Sequence, residues 1–261
     1  MRPESSIPEG YSARPDLLKD RIILITGAGD GFGRAAALAC ARCGASVILL
    51  GRTIKKLEAV YDAIEAGGTA SGGPPATPAM YPLNLFGATW NDHSELAATV
   101  EREFGRLDGL VHNAAHFNSF TPLADLPPKD WIEAVQVNLT AAWSLTRLCM
   151  PIMRQRPDAS IIFVADSAGR SPKAYRGAYG VTKYAIEGMV QGWAQELSTA
   201  PGLRINTYDP GPMRTALRLK GYPGEDPQRV PPPEAAVSGL LFLLGPDSIG
   251  RSGEAFTQSS G

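Results

Sequence analysis

Residues 21–34 read RIILITGAGDGFGR, an apolar run that leads into a glycine-rich turn and then into an alanine-rich segment. This order predicts a buried strand, a tight turn and a helix. Glycine lets the backbone approach a pyrophosphate closely, and the N-terminus of the following helix offers oriented N–H groups and a positive dipole. The turn therefore predicts a dinucleotide cradle. Its predicted cofactor contacts are Gly27, Gly29, Asp30, Gly31, Phe32 and Gly33.

Short apolar runs and longer amphipathic stretches alternate along the rest of the chain. They predict strands at residues 21–26, 46–50, 79–83, 109–112, 160–165, 204–208 and 255–257. Helices are predicted at residues 32–43, 54–66, 93–104, 129–154, 178–199 and 233–244. This pattern indicates an α/β fold of the Rossmann type, a doubly wound parallel seven-stranded sheet with helices on both faces. We expect an N-terminal arm at residues 1–20, a single domain at 21–261, and a Gly/Pro-rich loop at 67–78.

The composition argues against several classes of partner. The 261 residues carry a formal net charge of -1, without the basic run that nucleic-acid binding requires. The longest apolar runs are far shorter than the roughly 20 residues that span a bilayer, and the N-terminal stretch lacks the apolar segment of a secretory signal. Three cysteines and three histidines show no spacing typical of a metal site. We therefore expect a cytoplasmic protein with no metal, no membrane contact and no nucleic-acid partner.

Arg52 follows the second predicted strand, where NAD enzymes commonly place an acidic residue that binds the ribose hydroxyls. A carboxylate there would repel the additional phosphate of NADP, whereas a guanidinium can bind it. NADP(H) is therefore the favoured cofactor. Asp30, in the glycine turn, would oppose such a phosphate, so NAD(H) stays open as the alternative.

Tyr179-Gly-Val-Thr-Lys183 places a phenol and an ammonium four residues apart, on one face of a predicted helix. A lysine charge about 4 Å from the phenol, at an effective dielectric of about 20, contributes about 4 kcal/mol, or about three pKa units. We therefore expect Lys183 to lower the pKa of Tyr179. Tyr179 would then exchange a proton with a substrate oxygen while hydride moves to or from the cofactor.

The glycine turn and this pair, about 150 residues apart, together make residues 21–253 resemble the short-chain dehydrogenase/reductase family. Segments 20–24, 47–52 and 224–228 are similar to a subgroup of uncharacterised bacterial oxidoreductases in that family. The resemblance implies a homodimer or homotetramer. It also implies that Asn138 helps to hold a water that links Lys183 to solvent.

The family motifs imply further cofactor contacts at the carboxyl ends of the later strands. Asn113, Ala114 and Ala115 would line the adenosine and ribose, and Asn84 stands where the family usually has an adenine-contacting aspartate. Thr215 would lie near the carboxamide. The implied contacts in these segments are Asn84, Leu85, Asn113, Ala114, Ala115, Pro210, Gly211, Met213 and Thr215. Tyr179 and Lys183 are also expected to contact the cofactor.

The chain departs from the family at Asp166, thirteen residues before Tyr179, where members usually carry a serine that binds the substrate oxygen. Ser167 is the neighbouring hydroxyl, but adjacent side chains at a strand end point to opposite faces, so its use requires a bulge or a shift. An ionised Asp166 disfavours an alkoxide-like transition state, and a protonated one could donate to it. Asp166 could also bind a basic group of an unusual substrate.

Three interpretations of the function stay open at this point. The first is an NADP(H)-dependent oxidoreductase that acts on a small molecule, with Tyr179, Lys183, Asn138 and Ser167 or Asp166 in the catalytic site. The second is a dinucleotide-binding sensor or scaffold with weak or no turnover. The third is another reaction on the same fold, such as epimerisation or dehydration. Residues 213–230 would roof the substrate pocket as a mobile lid, with His116, Phe117 and Tyr175 as candidate lining residues.

Overall fold

The computed structural model of the protein describes residues 4–73, 77–200 and 202–258. Residues 74–76 of the predicted Gly/Pro loop, residues 1–3 of the arm and residues 259–261 of the domain lie outside the described residues. The described strands are β1 (Glu4–Ser6), β2 (Ile22–Thr26), β3 (Ser46–Gly51), β4 (Ala79–Pro82), β5 (Gly109–His112), β6 (Ala159–Val164), β7 (Leu203–Asp209) and β8 (Ala255–Thr257).

The described helices alternate with these strands. They are α1 (Gly31–Arg42), α2 (Ile54–Gly67), α3 (Trp90–Phe104), α4 (Pro128–Ala134), α5 (Ala141–Met153), α6 (Gly177–Glu196), α7 (Ala216–Gly221) and α8 (Val237–Leu244). None of the helices within the described ranges is both long enough and apolar enough to cross a membrane.

The strands form one parallel sheet in the order β1-β8-β7-β6-β5-β2-β3-β4. Strands β3 and β4 are added on one side of β2, whereas β5, β6 and β7 are added in turn on its other side. The carboxyl ends of β2 and β5, where the order of strands changes, therefore form the topological switch point. The Rossmann-type fold predicted from the sequence is confirmed. The predicted count of seven strands is wrong by one, because β1 within the arm pairs with β8 at the sheet edge.

Alternate residues of the central strands pack on opposite faces of the sheet. In β2, Ile23 and Ile25 join the apolar cluster that contains α1, α2 and α8, whereas Leu24 joins the cluster that contains α3, α5 and α6. All three are fully buried, and burying one such side chain contributes about 1.5–3 kcal/mol. Burial on both faces explains why these strands are continuous apolar runs in the sequence.

Two predicted helices are divided in the structure. The segment predicted as one helix at 129–154 contains α4, a π-helical turn at Val135–Thr140, and α5. The segment predicted at 233–244 begins with a 3-10 turn at Pro233–Ala236, because three consecutive prolines precede and open it, and only then becomes α8. The π-helical turn matters for the site, since it carries Asn138.

Candidate active site

The glycine turn between β2 and α1 leaves its backbone open at the switch point. Gly27 and Gly31 adopt positive φ angles of 68° and 50°, which favour glycine. A Cβ atom at Gly33 would lie 2.2 Å from the Gly27 carbonyl oxygen, so any side chain there would collide with the turn. The Asn113 amide braces the turn by donating to the carbonyls of Thr26 and Gly27, at 3.1 and 3.2 Å. These features fit the close approach of a pyrophosphate.

The end of β5 lies directly beside this turn. The backbone N–H groups of Asn113 and Ala114 both donate to the Thr26 hydroxyl at 3.0 Å, and Ala115, which follows them, is partly exposed. Phe32 turns its ring into the core, where it contacts Tyr208. Phe32 can therefore contribute only backbone atoms to a ligand at the turn.

Asp30 is already engaged within the turn. One carboxylate oxygen accepts from Gly31 N at 2.8 Å and caps α1, and the other accepts from Lys56 Nζ at 2.5 Å. The Lys56 ammonium is the main cause of the lowered pKa of Asp30. The Cβ of Lys56 also lies 3.0 Å from the position that a Cβ at Gly29 would occupy. Lys56, which the sequence analysis missed, therefore offsets the charge that was expected to oppose a phosphate.

The candidate adenosine side lies at the ends of β3 and β4. Arg52 follows β3 and is exposed, without a hydrogen bond or ion pair to another described residue. Asn84 is exposed and accepts from Phe86 N at 3.3 Å, whereas Leu85 is buried. Arg52 is thus free to contact an anionic ligand next to the turn.

Helix α6 presents Tyr179 and Lys183 to the carboxyl end of β6. The Tyr179 hydroxyl donates to Asp166 Oδ2 at 3.1 Å. Lys183 is buried and donates to the Val164 carbonyl oxygen at 2.5 Å, with its Nζ 5.5 Å from the Tyr179 ring centroid. The structure brings the two side chains together, but it places a carboxylate and not the ammonium at the phenol.

The electrostatics of this pair differ from those expected from the sequence. Burial raises the pKa of Tyr179 well above its usual value, and Asp166 raises it further by its charge and hydrogen bond. Burial also lowers the pKa of Lys183, and Asp166 and Asp209 counter part of that effect. The expectation that Lys183 lowers the pKa of Tyr179 is therefore wrong for this structure, because desolvation and Asp166 prevail.

Asp166 occupies a turn that fixes its orientation. It caps the 3-10 turn Ser167–Gly169 by accepting from Ala168 N at 2.7 Å through Oδ1. Ser167 is exposed and is not brought to Tyr179. Arg170 follows the turn, is buried, and donates to Glu187, to the Thr257 hydroxyl at 2.6 Å and to the Phe256 carbonyl at 2.9 Å. These bonds attach the turn to α6 and β8.

Asn138 bridges the π-helical turn to two neighbouring segments. Its side-chain oxygen accepts from His116 N at 2.6 Å, and its amide donates to the His116 carbonyl at 3.1 Å and to the Thr182 hydroxyl at 3.0 Å. Thr182 immediately precedes Lys183 on α6. Asn138 therefore positions the segment after β5 and the helix that carries Tyr179 and Lys183.

The three residues predicted to line the substrate pocket lie in two different places. Phe117 packs its ring edge-on to Tyr179 at 5.3 Å, and the His116 side chain contacts Glu133 at 3.2 Å. Tyr175, with a positive φ of 67°, is 62% exposed and lines a separate cleft with Val181 and Tyr184. His116 and Phe117 thus lie near Tyr179, but the structure does not bring Tyr175 to that pocket.

The segment after β7 folds back over the glycine turn. Thr215 caps α7, and its methyl group lies 3.2 Å from the position of a Cβ at Gly31. Pro210 and Gly211 open the segment, with Gly211 at φ 75°, and Met213 packs against the core. Residues 213–230, expected as a lid, contain α7 and a pair in which Arg218 donates to both carboxylate oxygens of Glu225.

Asp209, the last residue of β7, is a second carboxylate at the site that the sequence analysis missed. It is only 8% exposed and accepts from Gly211 N at 2.9 Å. Burial raises its pKa, and Asp166 adds to that effect. The signal in the sequence is an acidic residue at the end of a fully buried strand, directly before Pro210. Among the described residues, no group of three His, Cys, Asp or Glu side chains could hold a metal ion.

Comparisons with known proteins place this geometry in context. The family described as short chain dehydrogenase matches residues 21–225. The protein named uncharacterized oxidoreductase YciK, from Escherichia coli strain K12, is 38% identical over 253 residues, which cover 96% of both chains. The resemblance to this subgroup that was predicted from the sequence is confirmed.

Two solved structures share the fold along nearly the whole chain. A candidate short chain dehydrogenase from Pseudomonas syringae is 47% identical with a TM-score of 0.89, and the match covers 95% of this chain and 98% of that one. A candidate short chain dehydrogenase from Shigella flexneri 2a, crystallised with NADP, is 38% identical with a TM-score of 0.88, covering 94% and 99%.

Proposed function

This chain belongs to the short-chain dehydrogenase family, and we propose that it transfers hydride between NADP(H) and the carbonyl or alcohol carbon of a small molecule. The observation that carries the proposal is the position of Tyr179 and Lys183. Both project from α6 to the carboxyl edge of the sheet, at the strand end next to the switch point. The bound nicotinamide would supply or accept the hydride.

Tyr179 is proposed as the proton donor in reduction and the acceptor in oxidation. Its raised pKa keeps the phenol protonated at neutral pH, which suits proton donation to a ketone oxygen. Lys183 contributes a buried positive charge behind the phenol. We assign Asn138 as the positioning residue of this pair, because it holds the backbone of His116 and the hydroxyl of Thr182; the family pattern adds a relay water at Asn138.

NADP(H) is proposed as the cofactor in preference to NAD(H). The glycine turn accommodates a pyrophosphate, and Arg52 is free to bind the additional phosphate. Lys56 offsets the charge of Asp30 beside the turn. A related structure that contains NADP supports the same assignment.

A second candidate function is a dinucleotide-binding sensor or scaffold with weak or no turnover. The observation that favours it is the hydrogen bond that Asp166 accepts from the Tyr179 hydroxyl. At the position of Asp166 the family usually has a serine. We assign the serine position to Asp166 and not to Ser167, since Ser167 is exposed.

A cytoplasmic homodimer or homotetramer is also proposed. Large apolar side chains are exposed on three helices, α4, α5 and α6, and an interface between copies of the chain would bury them. They are Trp131, Ile132, Trp143, Val181 and Tyr184.

The test begins with titration of the purified protein with NADPH and NADH, followed by a screen of ketones and aldehydes with NADPH. We expect tighter NADPH binding and carbonyl-dependent NADPH oxidation. Tyr179→Phe should abolish most turnover and keep cofactor binding. Turnover that survives Tyr179→Phe contradicts the assigned proton transfer, NADPH binding without turnover of any carbonyl favours the sensor, and failure to bind either cofactor contradicts both functions.

A further inference from the structure

The Tyr179 hydroxyl has one hydrogen to donate, and in this structure it forms a hydrogen bond with Asp166 Oδ2. In the proposed reduction the same proton must be directed at the substrate oxygen. Productive binding therefore removes a donor from Asp166. A partly buried polar group that loses its partner weakens the complex unless another donor replaces the one that was lost.

A second contact of Asp166 favours its present orientation. Its Oδ1 accepts from Ala168 N and caps the 3-10 turn, which holds the carboxylate in place. The turn itself is tied down by the buried Arg170. The replacement donor must therefore come to Asp166 Oδ2.

The cations near Asp166 are engaged elsewhere. Arg218, whose charge interacts with Asp166, donates to Glu225. Lys183 donates to the Val164 carbonyl oxygen. The Arg176 guanidinium donates to the Tyr222 hydroxyl at 2.8 Å and lies over the Phe120 ring. Among the described residues, none of these side chains donates to Asp166. A substrate that displaces solvent from the site can supply the donor.

The second carboxylate determines which kind of donor is favoured. Asp209 is buried at the end of β7, and its charge acts on both Tyr179 and Lys183. Two carboxylates disfavour the negative charge that develops on a carbonyl oxygen during reduction. A positive charge on the substrate counters this effect, because it attracts both the carboxylates and the developing negative charge.

We propose that the substrate is a vicinal amino ketone or amino alcohol, whose ammonium group binds Asp166 while the adjacent oxygen accepts from Tyr179. This inference rests on the proposed hydride transfer. It makes Asp166 a specificity-determining residue, and the ammonium takes over the stabilising role of the serine hydroxyl that the chain lacks.

The proposed step balances within this arrangement. The C–H bond of the reduced nicotinamide breaks with its electron pair, and a C–H bond forms at the carbonyl carbon. The π electrons of the C=O bond move to oxygen, which takes the Tyr179 proton. The ketone is reduced to the alcohol, the dinucleotide is oxidised, and the ammonium is unchanged. Solvent returns a proton to Tyr179.

Three matched ketones test the inference: aminoacetone with an ammonium donor, hydroxyacetone with a neutral donor, and butanone with none. Rates of NADPH oxidation give kcat/KM for each. We expect the order aminoacetone, hydroxyacetone, butanone, with at least about a tenfold advantage for aminoacetone over butanone, the scale of one charge-assisted hydrogen bond.

Two variants of Asp166 and one control assign the preference. Asp166→Asn keeps the shape but removes the charge, and should bring the aminoacetone to butanone ratio close to one. Asp166→Ser provides the family hydroxyl and should raise kcat/KM for butanone. Asp62→Asn, on the exposed side of α2, should leave the order of the ketones unchanged. Melting temperature and NADPH affinity identify a variant that fails to fold.

The outcomes separate the two proposals. Equal kcat/KM for aminoacetone and butanone, or a ratio that survives in both Asp166 variants, overturns the inference and leaves the hydride transfer intact. Protein that binds NADPH but reduces no ketone, including those of the wider screen, overturns the hydride transfer and the inference with it.

Discussion

The hydroxyl of Tyr179 lies 3.1 Å from a carboxylate oxygen of Asp166, and the ammonium of Lys183 is bound to a backbone carbonyl instead. Tyr179, the proton donor of the proposed reaction, is therefore hydrogen-bonded to Asp166 of the protein itself. Asp166 places a carboxylate where the family usually has a neutral hydroxyl, and its hydrogen bond with Tyr179 has measurable consequences.

Replacing Asp166 by asparagine should lower the pKa of Tyr179. Asp166 raises that pKa through its charge and its hydrogen bond, so removing the charge lets the phenol lose its proton at lower pH. The acidic limb of alcohol oxidation, which needs the deprotonated phenol, should move to lower pH in the same variant. Ultraviolet difference absorbance of tyrosinate, measured with and without Tyr179→Phe in each background, isolates this residue. An unchanged titration would contradict the effect attributed to Asp166.

Replacing Arg52 by alanine should weaken NADPH binding by roughly 10- to 100-fold, the range expected for one charge-assisted contact with a phosphate. NADH, which lacks that phosphate, should bind with nearly the same Kd as before. Calorimetric titration of both cofactors measures the difference. Lys55→Ala is the matched control, because Lys55 is an exposed cation nearby on α2. Equal losses for NADPH and NADH would assign Arg52 to another role.

Replacing Gly33 by alanine should abolish cofactor binding and destabilise the fold, because the added Cβ would lie 2.2 Å from the Gly27 carbonyl. The comparison is Gly67→Ala at the end of α2, where a Cβ meets no atom within 4 Å. Alanine there should leave binding intact and stabilise the protein by up to about 1 kcal/mol. Melting temperatures and NADPH titrations of the two variants test the contrast. NADPH binding retained by Gly33→Ala would show that the turn can rearrange.

Acidification should destabilise the protein through His112. Burial lowers the pKa of His112 to about 3, whereas the unfolded value is about 6.5. Between these values the unfolded state binds the additional proton, so the free energy of unfolding falls as pH falls below about 6.5, by up to about 1.4 kcal/mol per pH unit. Denaturant unfolding gives the free energy of unfolding at each pH in this range. Its dependence on pH should be shallower in His112→Gln, by the amount that corresponds to the uptake of about one proton on unfolding. An identical slope in the variant would mean that His112 is not the group responsible.

The sequence predicts the centre of the sheet well because the central strands are buried on both faces. The predicted strand at residues 109–112 coincides with β5, since Gly109–His112 is buried throughout and bounded by loops. Strand β1 was missed because Glu-Ser-Ser contains no apolar residue. It joins the sheet through backbone pairing with β8 and through polar side-chain contacts, such as that of Ser5 with Glu254. A run of apolar residues indicates a buried strand, whereas a polar edge strand leaves no such pattern in the sequence.

The sequence predicts the positions of the candidate site residues but not their contacts. The spacing of Tyr179 and Lys183 places both on one face of α6, yet it does not show that Lys183 donates to Val164. Asp209 and Lys56 contribute charges from β7 and α2, and their proximity depends on how these elements pack. Such partners belong to distant parts of the chain, so local sequence cannot reveal them.

The pairing of β1 with β8 limits the order in which the nascent chain can fold. The ribosome produces β1 first, but its partner strand emerges only after the other six strands. Arg170, which donates to Thr257 and Phe256, likewise lacks these acceptors until β8 has been made. The nascent chain can therefore assemble the glycine turn early, whereas the carboxylate-bearing turn at Asp166 reaches its final support only after β8 has been made.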